Sequence, residues 1–195
     1  MRKTSLRDAA TAFQTAVDDI VQFAERLSTN ASQQDASWIY EHAVIRLFRE
    51  FESLMLHAIS GAINNDSSVL SSTLGISFPK HLAQPVCEFV VTGGGYFDFR
   101  GRDGLIKDMK GLLGDAHWLV AVVKKSTYKD ALNQLISLRN FAAHDSKQSR
   151  NRAKESLNLE RLSSAGAWLK RQDRLSTLSD RLKALAAEVH AFAPR

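Results

Sequence analysis

The chain has a single cysteine, Cys87, among its 195 residues. One thiol excludes an internal disulfide framework and any zinc or iron-sulfur site built from several cysteines, and it suits a reducing compartment. Long apolar runs are also missing: no stretch approaches the roughly 18 residues of a bilayer span. The opening residues Met1 to Asp8 are basic but lead into a charged amphipathic segment, so no secretory signal is expected there. A soluble, cytoplasmic protein without a membrane partner is the expectation. No His-Glu-x-x-His motif and no Asp/Glu cluster offers to hold a metal. The one glycine run, Gly93-Gly94-Gly95, lacks both the Gly-Lys-Ser/Thr ending of a phosphate loop and dinucleotide-type spacing. Neither a metal nor a cofactor is called for, and no internal repeat is present.

What the sequence does contain is helical periodicity. With 44% hydrophobic residues the chain can bury a sizeable core, and residues 1–195 are read as one all-α domain, an up-and-down helical bundle. Phe13, Ala16, Val17, Ile20, Ala24 and Leu27 mark a helix from about Leu6 to Leu27. After a polar connection, Asp35 or Ser37 can cap a second helix, Trp38 to Ala62, whose wide apolar stripe makes it the backbone of the bundle. Residues 64–81 read as loop with one short helical turn. Pro85 to Val91 is rich in β-branched residues but short enough for a helix. Together with the glycine run and Tyr96 to Phe99, it is read as a small extended or hairpin-like insertion near 86–99, serving as a lid or dimer contact. Asp103 can cap a short helix closed by Gly114, and His117 to Val123 should be deeply buried. Thr127 with Asp130 resembles a capping pair for the next helix. Arg150 to Leu162 and Leu175 to Val189 give the last helices, with a bend at Gly166 between them.

The stretch Leu138-Arg139-Asn140-Phe141-Ala142-Ala143-His144 stands out within this pattern. Ala131, Leu135, Leu138 and Ala142 form a buried stripe, and Arg139 flanks it. A guanidinium beside a core stripe must be paired, reach solvent or face another surface. It can form a structural bridge to Glu41, Glu50 or Glu52 on the second helix, Glu52 being the first choice because it adjoins Phe51 of that stripe. The same bridge could hold Arg139 in position behind a working site. Alternatively Arg139 clamps a phosphate, His144 carries a proton near neutral pH and Asn140 orients one of them.

Arg139, Asn140 and His144 at the end of an amphipathic helix resemble the signature of the HEPN superfamily, in which four to six residues lie between an Arg, often followed by a polar residue, and a His. No other Arg in this chain precedes a His at that spacing. The likeness extends loosely upstream, through Tyr96-Phe97-Asp98-Phe99, to stand-alone bacterial HEPN proteins. It implies a HEPN-like bundle and a metal-independent endoribonuclease in which two copies of the motif pair across a homodimer interface. RNA would supply its own 2′-hydroxyl nucleophile and leave 2′,3′-cyclic phosphate and 5′-hydroxyl ends. Arg139, Asn140 and His144 are the catalytic candidates. The position two residues after the His, commonly Tyr in HEPN toxins paired with nucleotidyltransferase antitoxins, is Ser146 here, which points away from that subfamily.

Charge follows the motif. Fifteen basic and fifteen acidic residues lie up to Arg139, while eleven basic residues face six acidic ones after it. Lys147, Arg150, Arg152 and Lys154 crowd the segment behind His144 and are candidates to hold RNA phosphates, or else form a solvated helix face. Toxin, phage-defence effector and processing enzyme are the cellular roles open to such a nuclease, the first with an antitoxin or other regulatory protein as partner. The alternatives are a non-catalytic module that binds nucleotide, RNA or protein through the same groove, and a structural bundle associating through the apolar segment Phe89 to Phe99.

Overall fold

Apolar residues at three- and four-residue spacing, with proline confined to positions 79, 85 and 194, leave long stretches free to coil. In a computed structural model that describes residues 5–194, every regular element is helical and no strand is present among the described residues. The order is α1 (Leu6–Ser28), α2 (Gln33–Asn65), α3 (Ser68–Leu74), α4 (Gln84–Thr92), α5 (Arg102–Leu113), α6 (Trp118–Lys124), a 3-10 turn (Ser126–Tyr128), α7 (Lys129–His144), α8 (Lys147–Leu157), α9 (Ala165–Leu169) and α10 (Arg174–Phe192). The chain is all-α, compatible with an up-and-down helical bundle. None of these helices is long and apolar enough to cross a membrane.

The helices fall into two compact units, each built from separated segments. The first takes the chain up to Phe13, Glu52–Lys125, and from Leu185 onward; the second takes Gln14–Phe51 and Ser126–Ala184. Helices α1, α2 and α10 contribute residues to both.

Within the first unit, Met55, Ile59, Leu70, Cys87, Phe99, Met109 and Leu119 are buried. The segment expected as a hairpin is helix α4. Pro85 sits in the first turn, where its missing N–H costs nothing, and Gly93 ends the helix in the left-handed region at φ 63°, its N–H bonded to Phe89 O. Those two signals, one for the start and one for the stop, outweigh the β-branched valines. Residues 96–101 have no regular secondary structure. Gly101, rather than Asp103, is the N-cap of α5; Asp103 lies in its first turn beside Arg102 at 3.3 Å. His117 caps α6 by accepting the Leu119 N–H at 3.2 Å.

The second unit buries Val17, Leu47, Phe48, Phe51, Leu132, Leu135, Leu138, Phe141 and Leu182. Helix α2 starts earlier than expected because Ser32, not Asp35 or Ser37, serves its first turn: Ser32 Oγ accepts the Asp35 N–H at 3.1 Å and donates to the Asp35 carboxylate at 2.7 Å. The 3-10 turn leads directly into α7, whose N-cap Tyr128 makes no side-chain cap bond, so Thr127 does not cap it. Gly166 lies inside α9 rather than at a bend. A Cβ there would fall 1.8 Å from Ser37 O on α2, so only glycine permits the approach.

Candidate functional site

Helix α7 remains regular through His144, its final residue. Ala131, Leu132, Leu135, Leu138 and Phe141 supply its buried face. Asp145 then turns the chain in the left-handed region, φ 37° and ψ 40°, with its N–H bonded to Phe141 O. Helix α8 begins two residues later. Its N-cap is Ser146, in a capping box: Ser149 N–H donates to Ser146 Oγ at 3.1 Å and Ser146 N–H donates to Ser149 Oγ at 3.0 Å. The residue that departs from the toxin pattern thus has a structural task of its own.

Arg139 is half-buried. Its guanidinium carbon lies 4.4 Å from the centre of the buried Phe48 ring, and its Nη1 donates to Asn140 Oδ1 at 2.8 Å. The ring and the amide are both neutral. They hold the cation in place without cancelling its charge. The carboxylates expected as its partners have other bonds: Glu50 pairs with Arg46 at 2.6 Å, Glu41 accepts the Gly166 N–H at 3.3 Å, and Glu52 accepts the Phe99 N–H at 3.0 Å. Asn140 serves Arg139 through its carbonyl oxygen, which leaves its NH2 group out of that bond.

His144 is exposed, and its imidazole makes no hydrogen bond among the described residues. It lies five positions after Arg139, so on the uninterrupted helix the two side chains diverge by about 140° and stand ~7.5 Å apart along the axis. One copy of α7 therefore does not aim both at a single phosphate.

The basic residues behind the motif divide into two groups. On α8, Lys147, Arg150 and Lys154 fall within an arc of about 60°, and Arg152 lies about 140° from Lys147. The buried Ser149 and Ala153 lie on a separate face, about 110° from the middle of that arc. Arg150 is committed to the corner: its Nη2 bonds Asp145 Oδ1 at 3.1 Å, and its guanidinium carbon lies 5.3 Å from the Phe141 ring centre. Asp145 and the rings of Phe48 and Phe141 were not foreseen as parts of the site. The five-residue spacing of Asp145 and Arg150 was the available signal for the first of them.

Compared with protein-family descriptions, curated proteins and solved structures, the chain matches none. The class defined by the fold and this corner is an all-α protein with an Arg-Asn-x3-His helix end joined by a tight turn to a basic helix.

Proposed function

We propose that the chain is a metal-independent, HEPN-type endoribonuclease acting on RNA as a homodimer, with two α7 helices at the interface. In this reaction neutral His144 accepts the proton of a ribose 2′-hydroxyl as its oxygen bonds to phosphorus. Arg139 binds the non-bridging oxygens, whose charge grows in the transition state. The bond from phosphorus to the 5′-oxygen breaks, and that oxygen takes a proton from water. The products carry 2′,3′-cyclic phosphate and 5′-hydroxyl ends. Pairing two motif helices about a two-fold axis brings the Arg139 of one copy toward the His144 of the other, which answers their divergence on one helix.

The observation that carries this reading is the state of Arg139: a fixed, half-buried cation, braced by a neutral ring and a neutral amide and without an ion pair among the described residues. Lys147 and Lys154, on one face of the next helix, suit the flanking phosphates. Such an activity in a cytoplasm needs restraint, so a role as toxin or phage-defence effector implies an antitoxin or other regulatory partner.

The test is RNA cleavage by wild type, Arg139→Ala and His144→Ala in EDTA, with end-group analysis. Cyclic phosphate ends that form in chelator and vanish in both folded variants are expected. Cleavage unchanged in both variants would overturn the assignment and favour a non-catalytic binding module.

A further inference from the structure

The second unit holds another concavity, and none of its lining residues belongs to the motif or to the basic face of α8. It is a surface pocket of ≈ 460 Å³ between the start of α7 and the first turns of α10, with Trp168 of α9 at its edge. That volume lies in the range of small-molecule sites, about 300–1,000 Å³. Arg174, Thr177 and Arg181 follow one another at i, i+3 and i+7, so α10 presents them on one face. Asp130 and Gln134, an i,i+4 pair on α7, also line the pocket.

The charges are in two states. Arg174 is fixed: its guanidinium carbon lies 4.7 Å from the Trp168 ring centre, Nη1 donates to Trp168 O at 3.2 Å, and Nη2 donates to Gln172 Oε1 at 2.6 Å. Arg181 and Asp130 are exposed, and neither has an ion pair or hydrogen bond among the described residues although both line one cavity. A ligand that uses this wall needs an anion for Arg181, hydroxyl or amine donors for Asp130, and a flat ring for the indole. Inorganic phosphate satisfies the first alone and is repelled by the carboxylate. An uncharged nucleoside lacks the anion.

We propose that this pocket binds a nucleoside monophosphate. The phosphate lies on Arg181 and the Thr177 hydroxyl, the ribose hydroxyls donate to Asp130, and the base lies against Trp168 with Gln134 at its edge. The site uses different side chains from the proposed nuclease centre and stands without it.

Isothermal titration of the full chain with the four ribonucleoside 5′-monophosphates, their nucleosides and inorganic phosphate provides the test. At least one nucleotide should bind, with its nucleoside and phosphate weaker by about tenfold or more. Arg181→Gln should weaken the nucleotide by about tenfold and leave the nucleoside unchanged, whereas Asp130→Asn should weaken both. Both side chains are exposed, and circular dichroism checks that the variants fold. Three results would overturn the proposal: no nucleotide bound, phosphate bound as tightly as the nucleotide, or binding lost in Arg139→Ala but kept in Arg181→Gln.

Discussion

Arg150 and Asp145 form an ion pair of 3.1 Å across the turn that joins α7 to α8. The pair fastens the left-handed residue next to His144 to the second turn of the basic helix, while the same guanidinium rests on Phe141. Both side chains are substantially exposed, 45% for Arg150 and 74% for Asp145, so their attraction adds little to overall stability, about 0–1 kcal/mol. Its effect is local. Arg150→Ala should leave the urea midpoint nearly unchanged and speed amide hydrogen exchange from Asp145 to Ser149. Unaltered exchange would mean that the Ser146 and Ser149 capping box holds the corner alone.

Gly166 permits a close approach of α9 to α2. Because a Cβ would meet backbone atoms of Ser37 rather than the tip of a flexible side chain, Gly166→Ala must push the helices apart. The bonds from Gly166 N to Glu41 and from Lys170 Nζ to Ser37 Oγ would be strained with it. Overpacking of this kind costs about 1–3 kcal/mol or more, which thermal unfolding will register. A variant as stable as wild type would show that α9 can shift freely.

What could be read from the sequence was what depends on near neighbours in the chain. The apolar repeat of α1 fixed its limits almost to the residue, and that of α7 ran to His144. Helix α4 was misjudged because valine content was weighed above Pro85 and Gly93, two local signals that mark a helix's start and stop. Other features depend on residues far apart in the sequence. Gly166 looked like a bend because Ser37 is remote from it, and Arg139 seemed to need a carboxylate because nothing nearby announced the Phe48 ring. At the site, Arg139 and Asn140 were legible as neighbours, which the structure joins at 2.8 Å; the Phe48 ring against Arg139 was not.

His117 couples stability to pH. Its Nδ1 accepts the Leu119 N–H, which requires the unprotonated ring. Burial pushes its pKa below the usual 6.5, while the Asp66 carboxylate pulls the other way. The folded state therefore prefers the neutral imidazole, and as pH falls below 6.5 the unfolded chain takes up the proton first. The contribution is complete above that value and is lost as pH drops through the lower folded one. An N-cap of this kind is worth about 1 kcal/mol, and partial exposure of the ring reduces the share that titrates. Urea midpoints should fall between about pH 7.5 and about pH 5 in wild type, and fall less in His117→Asn, whose cap does not titrate there. Equal slopes would remove His117 as the cause.

The division of the basic residues on α8 makes a graded prediction for RNA binding. The side chains of Lys147 and Lys154 share a face and form no ion pair or hydrogen bond among the described residues, so each exchanged for Ala should lower the salt slope of affinity by about 0.7 on single-stranded RNA. Arg152→Ala, on another face, should leave the slope unchanged. Arg150→Ala should change it less than the lysines do, since Asp145 already compensates its charge. Filter binding across a salt series measures all four, and equal effects would mean general attraction to a basic surface.

The divergence of Arg139 and His144 gives the sharpest test of the dimer. If each centre joins Arg139 of one copy to His144 of the other, Arg139→Ala and His144→Ala homodimers are both inactive, but the mixed dimer retains one intact centre, with Arg139 from the His144→Ala copy and His144 from the Arg139→Ala copy. Equimolar mixing with full subunit exchange makes half the dimers mixed, each with one working centre of two, so cleavage should recover to roughly a quarter of the wild-type rate. Recovery should require exchange and disappear when the variants are mixed under conditions that block it. If both residues act within a single copy, the mixed dimer has no complete centre and mixing restores nothing. Cleavage assayed before and after mixing therefore separates a centre shared across the two-fold axis from one held within a subunit.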